Sequence, residues 1–393
     1  MPRHGLPFRY VGARPAGISF RAGAGRPRKD TGWHSRPAAG FEPKGNSVTP
    51  AAHEFRLGTF SAAGSPEFPA LVLGERVYAL KSLGPLARHL GHPLEGVDSI
   101  RSLLESWDTN LIALAAVVAQ ILEGTLPLAR QVIAQVGPVS GLKTHVPVRP
   151  QQIFQAGANY HKHVVDLIVD SALARDPGAD KEQLRVNATE MMRKRADTGK
   201  PFVFMGLQSS LIGAYDPITV PYDVQQPDWE LELAAVIGKP ARRVTRADAL
   251  DYVAGYTIAN DITARELVTR PDVPQMGMDW MASKGSPTFL PVGPFIVPAR
   301  FIGDPQALQI TLRLNGRIMQ DESTSDMIFS VASLIEHISR YVQLLPGDLV
   351  LTGSPSGNGT HFSRYLQDGD VLDCEITGLG RQRNVCVAER PSG

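Results

Sequence analysis

A mixed α+β fold rich in short strands is what this 393-residue sequence predicts, on three observations. After THVPVRP, turn signals crowd together as PYD, LNGR, LPGD, QDGD and TGLG, so the strands between them must be short. Ahead of that region, FRLGTFS and FPALVLGERVYAL read as strand-like runs joined by a Gly-Glu turn, followed by apolar helical stretches from Leu83 to Val136. Successive strands lack the intervening helices that a parallel α/β sheet needs, which leaves a sandwich, a barrel or a rolled sheet.

Three segments follow from the same texture. Residues 1–50 carry nine Lys and Arg against two Asp and Glu, leaving 31 against 37 for the rest. This basic Gly/Pro/Arg-rich stretch has no apolar periodicity to bury, so it is expected to be a disordered tail. An Arg-rich, acid-poor start also suits an organellar transit peptide, but its prolines and glycines oppose the amphipathic helix such a peptide needs. A functionless tail or a start codon placed too far upstream is the preferred reading. Residues 51–147 are expected to form a small α+β N-terminal domain and residues 148–393 a β-rich catalytic domain. From Asp166 to about Lys200 the chain is polar, charged and helix-prone, a helical insertion that is either a solvated excursion or a lid or oligomer contact.

Composition narrows the function classes. The formal net charge is +1, so no global field points to nucleic acid. The longest apolar run, Leu111 to Leu122, is too short to span a bilayer. Two cysteines, Cys374 and Cys386, are too few for a disulfide framework or a thiolate metal site and suggest a reducing compartment, here the cytoplasm. A small molecule is the expected partner.

The chemistry-bearing residues begin with DWELEL. Read as a strand, it sends Glu230 and Glu232 to one face, with Cα atoms roughly 6.6 Å apart. Two charges at that distance repel by about 2.5 kcal/mol at an effective dielectric near 20. Either water screens them on a solvated face or a hard divalent cation sits between them. Downstream, in ANDITAREL, Asp261 is expected to open a helix that places Arg265 one turn later on the same face, or else to serve as a helix N-cap. Upstream, NYHKHVVDL gathers His161, His163 and Asp166, and His163 with Asp166 three residues on suits a base whose ring a carboxylate orients.

Taken in order, NYHKH, DWELEL, ANDITARE, SKGSPTFLPVGP and PGDLVLTGSPSGNG resemble the fumarylacetoacetate hydrolase family over roughly residues 148–390. The resemblance implies a mixed β-sandwich and roll, usually a homodimer, with Mg²⁺ or Mn²⁺ held by Glu230, Glu232 and Asp261. It implies His163 as general base with Asp166 assisting, and Lys284 beside the substrate. It further implies Arg265 meeting the substrate carboxylate and Thr352, with Gly353 and Tyr160, contacting the bound acid. Val268 and Pro287 stand where many members carry glutamine and aspartate, which shifts substrate recognition. The long insertion, SPTFLPVGP and NGTHFSRYL resemble the branch acting on 2,4-diketo-3-deoxy sugar acids, and His361 either contacts a polar substrate end or lies on the surface. The implied activity is hydrolysis of a C–C bond in a 2,4-dioxo acid to pyruvate and a second acid. The alternatives are a lyase of the same family, an oxaloacetate decarboxylase or 2-oxo-4-enoate hydratase, or a non-catalytic metal-dependent binding protein.

Overall fold

Near the N-terminus, alternating small and apolar residues pair Arg56–Ser61 with Phe68–Leu73, and Phe68–Leu73 with Arg76–Ala79, as antiparallel neighbours. Two short strands, Gly137–Pro138 and Lys143–Thr144, complete this five-stranded sheet. The computed structural model describes residues 54–134 and 137–390. The tail expected over 1–50 lies outside those residues.

The apolar stretch after the sheet folds as helices Leu80–His89, Ile100–Glu105, Trp107–Glu123 and Pro127–Ala134. Ser99 caps the second through Ser102 N–H, and Gly124, at φ +63°, ends the third in the left-handed region that glycine enters without steric cost. Among the described residues no single helix is long and apolar enough to cross a membrane. The buried faces of these helices instead join one apolar cluster with Ala234, Val236, Ala259, Leu349 and Leu351 of the main sheet.

That sheet runs Phe202–Met205, Ile153–Gly157, Leu349–Leu351, Leu231–Ile237, Val253–Asn260, Leu290–Val292 and Leu211–Gly213, with Val297–Pro298 also paired to Val253–Asn260. Its two central strands are buried along their whole length, which is why LELAAVI and VAGYTIAN read as near-continuous apolar runs. A second five-stranded sheet, built on Gln309–Leu314, Arg317–Ser323, Val371–Ile376, Gly380–Ala388 and Ile218–Val220, contributes Ile310, Leu312, Leu372 and Ile376 to the largest core. Two curled, largely antiparallel sheets around a shared core agree with the sandwich and roll that the family resemblance implies.

The polar insertion is a helix pair, His161–Arg175 and Lys181–Thr198. Asp180 caps the second by accepting from Glu182 and Gln183 N–H. Val164, Val165, Val169, Ala188 and Met192 bury one side of the pair, and the remaining face is largely polar with Leu167, Val186 and Met191 exposed on it. The helical stretch starts at His161, five residues before the insertion expected from Asp166.

Helix formation after Asp261 did not materialise. Asp261 follows the Val253–Asn260 strand and is succeeded by a short strand, Thr263–Ala264, then a 3₁₀ turn over Arg265–Leu267. Pairing of Pro227 with Ala264 and Asp228 with Thr263 holds this segment extended, and β-branched Ile262 and Thr263 suit that conformation.

Candidate active site and metal centre

The register of the two central strands assembles the carboxylates. Leu231 faces Asn260 and Glu232 faces Ala259, so Glu230 and Asp261 meet at the strand ends. Asp261 N–H donates to the Glu230 carbonyl at 2.8 Å, and Glu230 N–H donates to Asn260 Oδ1 at 2.9 Å. Glu230, Glu232 and Asp261 thereby bring carboxylate oxygens within 4.8 Å of one another, all buried or nearly so.

Each carboxylate is held from behind. Gln155 Nε2 donates to Asp261 Oδ1 at 2.5 Å, and Gly353 N–H donates to Glu232 Oε2 at 2.7 Å. Gly353 reaches this position at φ +88°, where a Cβ would lie 2.9 Å from that of Asn159. Lys284 Nζ donates to Glu230 at 2.8 Å, to Asp261 Oδ2 at 2.5 Å and to Thr263 Oγ1 at 2.6 Å. Arg265 bridges Glu230 at 2.6 Å and the fully buried Asp228 at 2.8 Å.

The charges in this cluster do not cancel. Four carboxylates, from Asp228, Glu230, Glu232 and Asp261, face two cations, from Lys284 and Arg265. Burial, with Asp261 and Glu230 nearby, pushes the Glu232 carboxyl well above the usual carboxylate range. Burial likewise raises Asp261 to about 6 against the pull of Lys284. Glu230 is buried too, but Arg265 and Lys284 outweigh that and hold it low. Four oxygen-only acidic groups against two cations fit a hard divalent cation such as Mg²⁺, whose charge would favour the ionised form of the carboxyls that burial raises.

These groups line a cavity of about 230 Å³. His163 faces it, 8% exposed, and burial lowers its imidazole pKa below 6.5 so that the ring is neutral at pH 7. Part of the lining is apolar: Phe204 and Trp280 stack at 4.3 Å and 8°, and Phe202, Val268 and Met278 also line the cavity. Lys284 Nζ lies 5.7 Å and 5.8 Å from the Phe204 and Trp280 ring centroids, within cation–π range.

Several expected contacts are replaced by others. Asp166 does not hold His163: its oxygens accept from Arg185 at 2.9 Å and Ser356 Oγ at 2.8 Å, and among the described residues no hydrogen bond joins it to the imidazole. The reason is direction, since Asp166 points from its helix toward the second insertion helix and the 353–358 loop. Thr352 Oγ1 donates to the Leu233 carbonyl, Gly353 serves Glu232, and Tyr160 is fully buried. None of the three lines the cavity, and of them only Gly353 bonds one of the carboxylates. Lys284 and Arg265 do line it, but their charged ends are already engaged by the carboxylates. Val268 faces the cavity, while Pro287 is not among its lining residues. Gln155, Asp228, Phe204 and Trp280 had drawn no role in the sequence. Gln155 lies four residues before Asn159 of NYHKH and Asp228 opens DWELEL, the only signal that could have marked them.

Residues 152–387 match the family described as Fumarylacetoacetate (FAA) hydrolase C-terminal. The chain is 34% identical over 264 residues to oxaloacetate tautomerase FAHD2B, mitochondrial, of Homo sapiens, covering 66% of this chain and 74% of that protein. It is 43% identical over 187 residues to 2,4-didehydro-3-deoxy-L-rhamnonate hydrolase of Sphingomonas sp. (strain SKA58), covering 47% of this chain and 64% of that one. Among solved structures, fumarylacetoacetate hydrolase from psychrophilic Exiguobacterium antarcticum aligns with TM-score 0.62 and 25% identity, over 85% of this chain and all of that one.

Proposed function

Because the chain belongs to the fumarylacetoacetate hydrolase family, we propose that it is a divalent-metal-dependent hydrolase cleaving the C3–C4 bond of a 2,4-dioxo acid, an acylpyruvate or diketo-deoxy sugar acid. Glu230, Glu232 and Asp261 would hold the ion, Mg²⁺ or Mn²⁺, which supplies Lewis-acid polarisation of a 2-oxo acid. The observation that carries the reading is a neutral, buried His163 facing the same cavity as a cluster of three acidic side chains, of which Glu232 has no ion pair among the described residues. His163 accepts a proton from water, and the hydroxide adds to C4. The C3–C4 electron pair leaves as the enolate of pyruvate, near the Lys284 ammonium in a water-poor site where that charge counts most. The proton taken by His163 ends on C3, so the products are pyruvate and a second acid.

A second reading has one specific support. His163 lacks the orienting carboxylate that would sharpen it for activating water, and moving a proton between C3 and an enol oxygen needs only a neutral base. Tautomerisation of oxaloacetate, the activity in the name of the human relative, requires no more than that. The test is purified protein with Mg²⁺, given acylpyruvates and oxaloacetate in parallel. Pyruvate released from an acylpyruvate supports the hydrolase. Accelerated keto–enol exchange of oxaloacetate with no pyruvate from any acylpyruvate supports the tautomerase. A homodimer and a cytoplasmic location belong to the same proposal, to be checked by light scattering and cell fractionation.

A further inference from the structure

A second cavity of about 230 Å³ shares His163 and Leu167 with the first, so the imidazole stands between the two. Its lining differs in kind. Where the first has Phe202, Phe204 and Trp280, the second has Asp166, Asp170, Ser171, Ser356, Asn358 and His361.

Asn358 is the informative residue. It is 2% exposed, and its side-chain Nδ2 has no hydrogen-bond partner among the described residues. Asparagine at the N-cap of a short helix, here Gly359–Phe362, ordinarily spends its side chain on the first free amides. Asn358 Oδ1 makes no such bond, because Asp228 already accepts from Gly359 N–H and Thr360 N–H, and Nδ2, a donor, needs an acceptor that no cap supplies. An unpartnered buried amide costs free energy unless something from outside accepts from it. Around it, Ser356 and Asp166 offer acceptor oxygens, and Asp170 and His361 stand at the rim, half-exposed and 3.9 Å apart. No Lys or Arg lines the cavity.

We propose that this second cavity is a subsite for the hydroxylated distal segment of the substrate, with Asn358 donating to a hydroxyl oxygen and the carboxylates accepting hydroxyl protons. The proposal rests on the reading that a 2-oxo acid sits on the carboxylate triad. From there a substrate passing His163 with C4 beside the imidazole runs on into the second cavity. Alternating donors and acceptors match vicinal hydroxyls, each of which both donates and accepts. Asp170 has no Lys or Arg partner among the described residues, and with Asp166, whose Arg185 partner does not line the cavity, it disfavours a substrate carrying a second carboxylate at its far end.

The test is calorimetric binding to the full chain with Mg²⁺ of three six-carbon 2-oxo acids: a 2-oxo-3-deoxy acid hydroxylated at C4 to C6, 2-oxohexanoate, and 2-oxoadipate. The hydroxylated acid should bind at least about tenfold more tightly than 2-oxohexanoate, and 2-oxoadipate most weakly. Asn358→Ala should bring the first ratio close to one. Binding of 2-oxohexanoate with no preference for the hydroxylated acid, a preference that survives Asn358→Ala, or tightest binding of 2-oxoadipate would each overturn the subsite while leaving the triad reading intact. If none of the three binds, the triad reading fails and the subsite with it. The wild-type ranking decides the matter even where the variant does not fold.

Discussion

Replacing Glu232 with glutamine separates the metal-binding role of the triad from its structural role. The three residues offer oxygens within 4.8 Å of one another, and at an effective dielectric of 20 two charges at that distance repel by about 3.5 kcal/mol. Glu232 has no ion pair of its own among the described residues: its hydrogen bond comes from the Gly353 N–H, which a glutamine carbonyl accepts equally well. Metal-free Glu232→Gln should therefore be as stable as the parent, if Glu232 carries a proton there, and up to about 3.5 kcal/mol more stable if it does not. Glu230→Gln should behave oppositely, because Glu230 receives both Arg265 and Lys284. Breaking those buried pairs should cost about 3 kcal/mol. Charge crowding alone would have predicted the same gain at both positions. In thermal melts, Mg²⁺ at a hundred times its dissociation constant adds about 2.7 kcal/mol, or about 4 °C for a unit of this size. That increment should fall to about 1 °C or less in Glu232→Gln, whose weaker ligand set no longer captures the ion at that concentration. An undiminished Mg²⁺ shift in Glu232→Gln would refute the metal assignment, and a metal-free loss of several kcal/mol would refute the account of its hydrogen bonding.

Other outcomes follow from the same geometry. His163→Ala should lower pyruvate release from an acylpyruvate by about 10² to 10⁴-fold while preserving the Mg²⁺-induced rise in melting temperature, since the ring is not a proposed ligand. A lost thermal shift would make it one. Burial lowers the His163 pKa from its ordinary 6.5, so its base form predominates at pH 6.5 and above and is titrated away as pH falls through the lowered value. The acid limb of kcat/KM at saturating Mg²⁺ should accordingly lie below 6.5, and a limb above 7 would contradict the assignment. Gly357→Ala should destabilise by at least about 1–3 kcal/mol in denaturant titration, because that backbone position favours glycine. The new Cβ at φ +98° would also lie 2.0 Å from the Met319 carbonyl oxygen, and the shift it forces disturbs the bond that Trp229 Nε1 makes to the Gly357 carbonyl.

Much of the site was legible because its residues lie in short stretches whose chemistry is local. The period of a strand alone put Glu230 and Glu232 on one face, and the order of five motifs carried the family, which residues 152–387 then matched. The Asp261 helix failed because a local pattern was given more weight than the strand pairing of Thr263–Ala264 with Pro227–Asp228, 35 and 37 residues away along the chain. The Asp166–His163 dyad failed for a related reason. Three-residue spacing makes contact possible, yet Arg185 and Ser356 are the partners that the fold delivers to that carboxylate.

What the sequence by itself determined is the set of chemical groups and the class of fold, because hydrophobic periodicity, turn residues and motif order are properties of neighbours along the chain. Which group meets which was decided only in three dimensions. Gln155 reaches Asp261 across 106 residues, and Asp228 reaches Gly359 across 131. Lys284, expected beside the substrate, donates to Glu230 and Asp261, and Asn358 Nδ2 is left buried without an acceptor among the described residues. Such pairings depend on how sheets curl and loops close. Hydrogen bonds and ion pairs act over a few ångströms of space, and separation along the chain carries almost no information about distance once the core has formed.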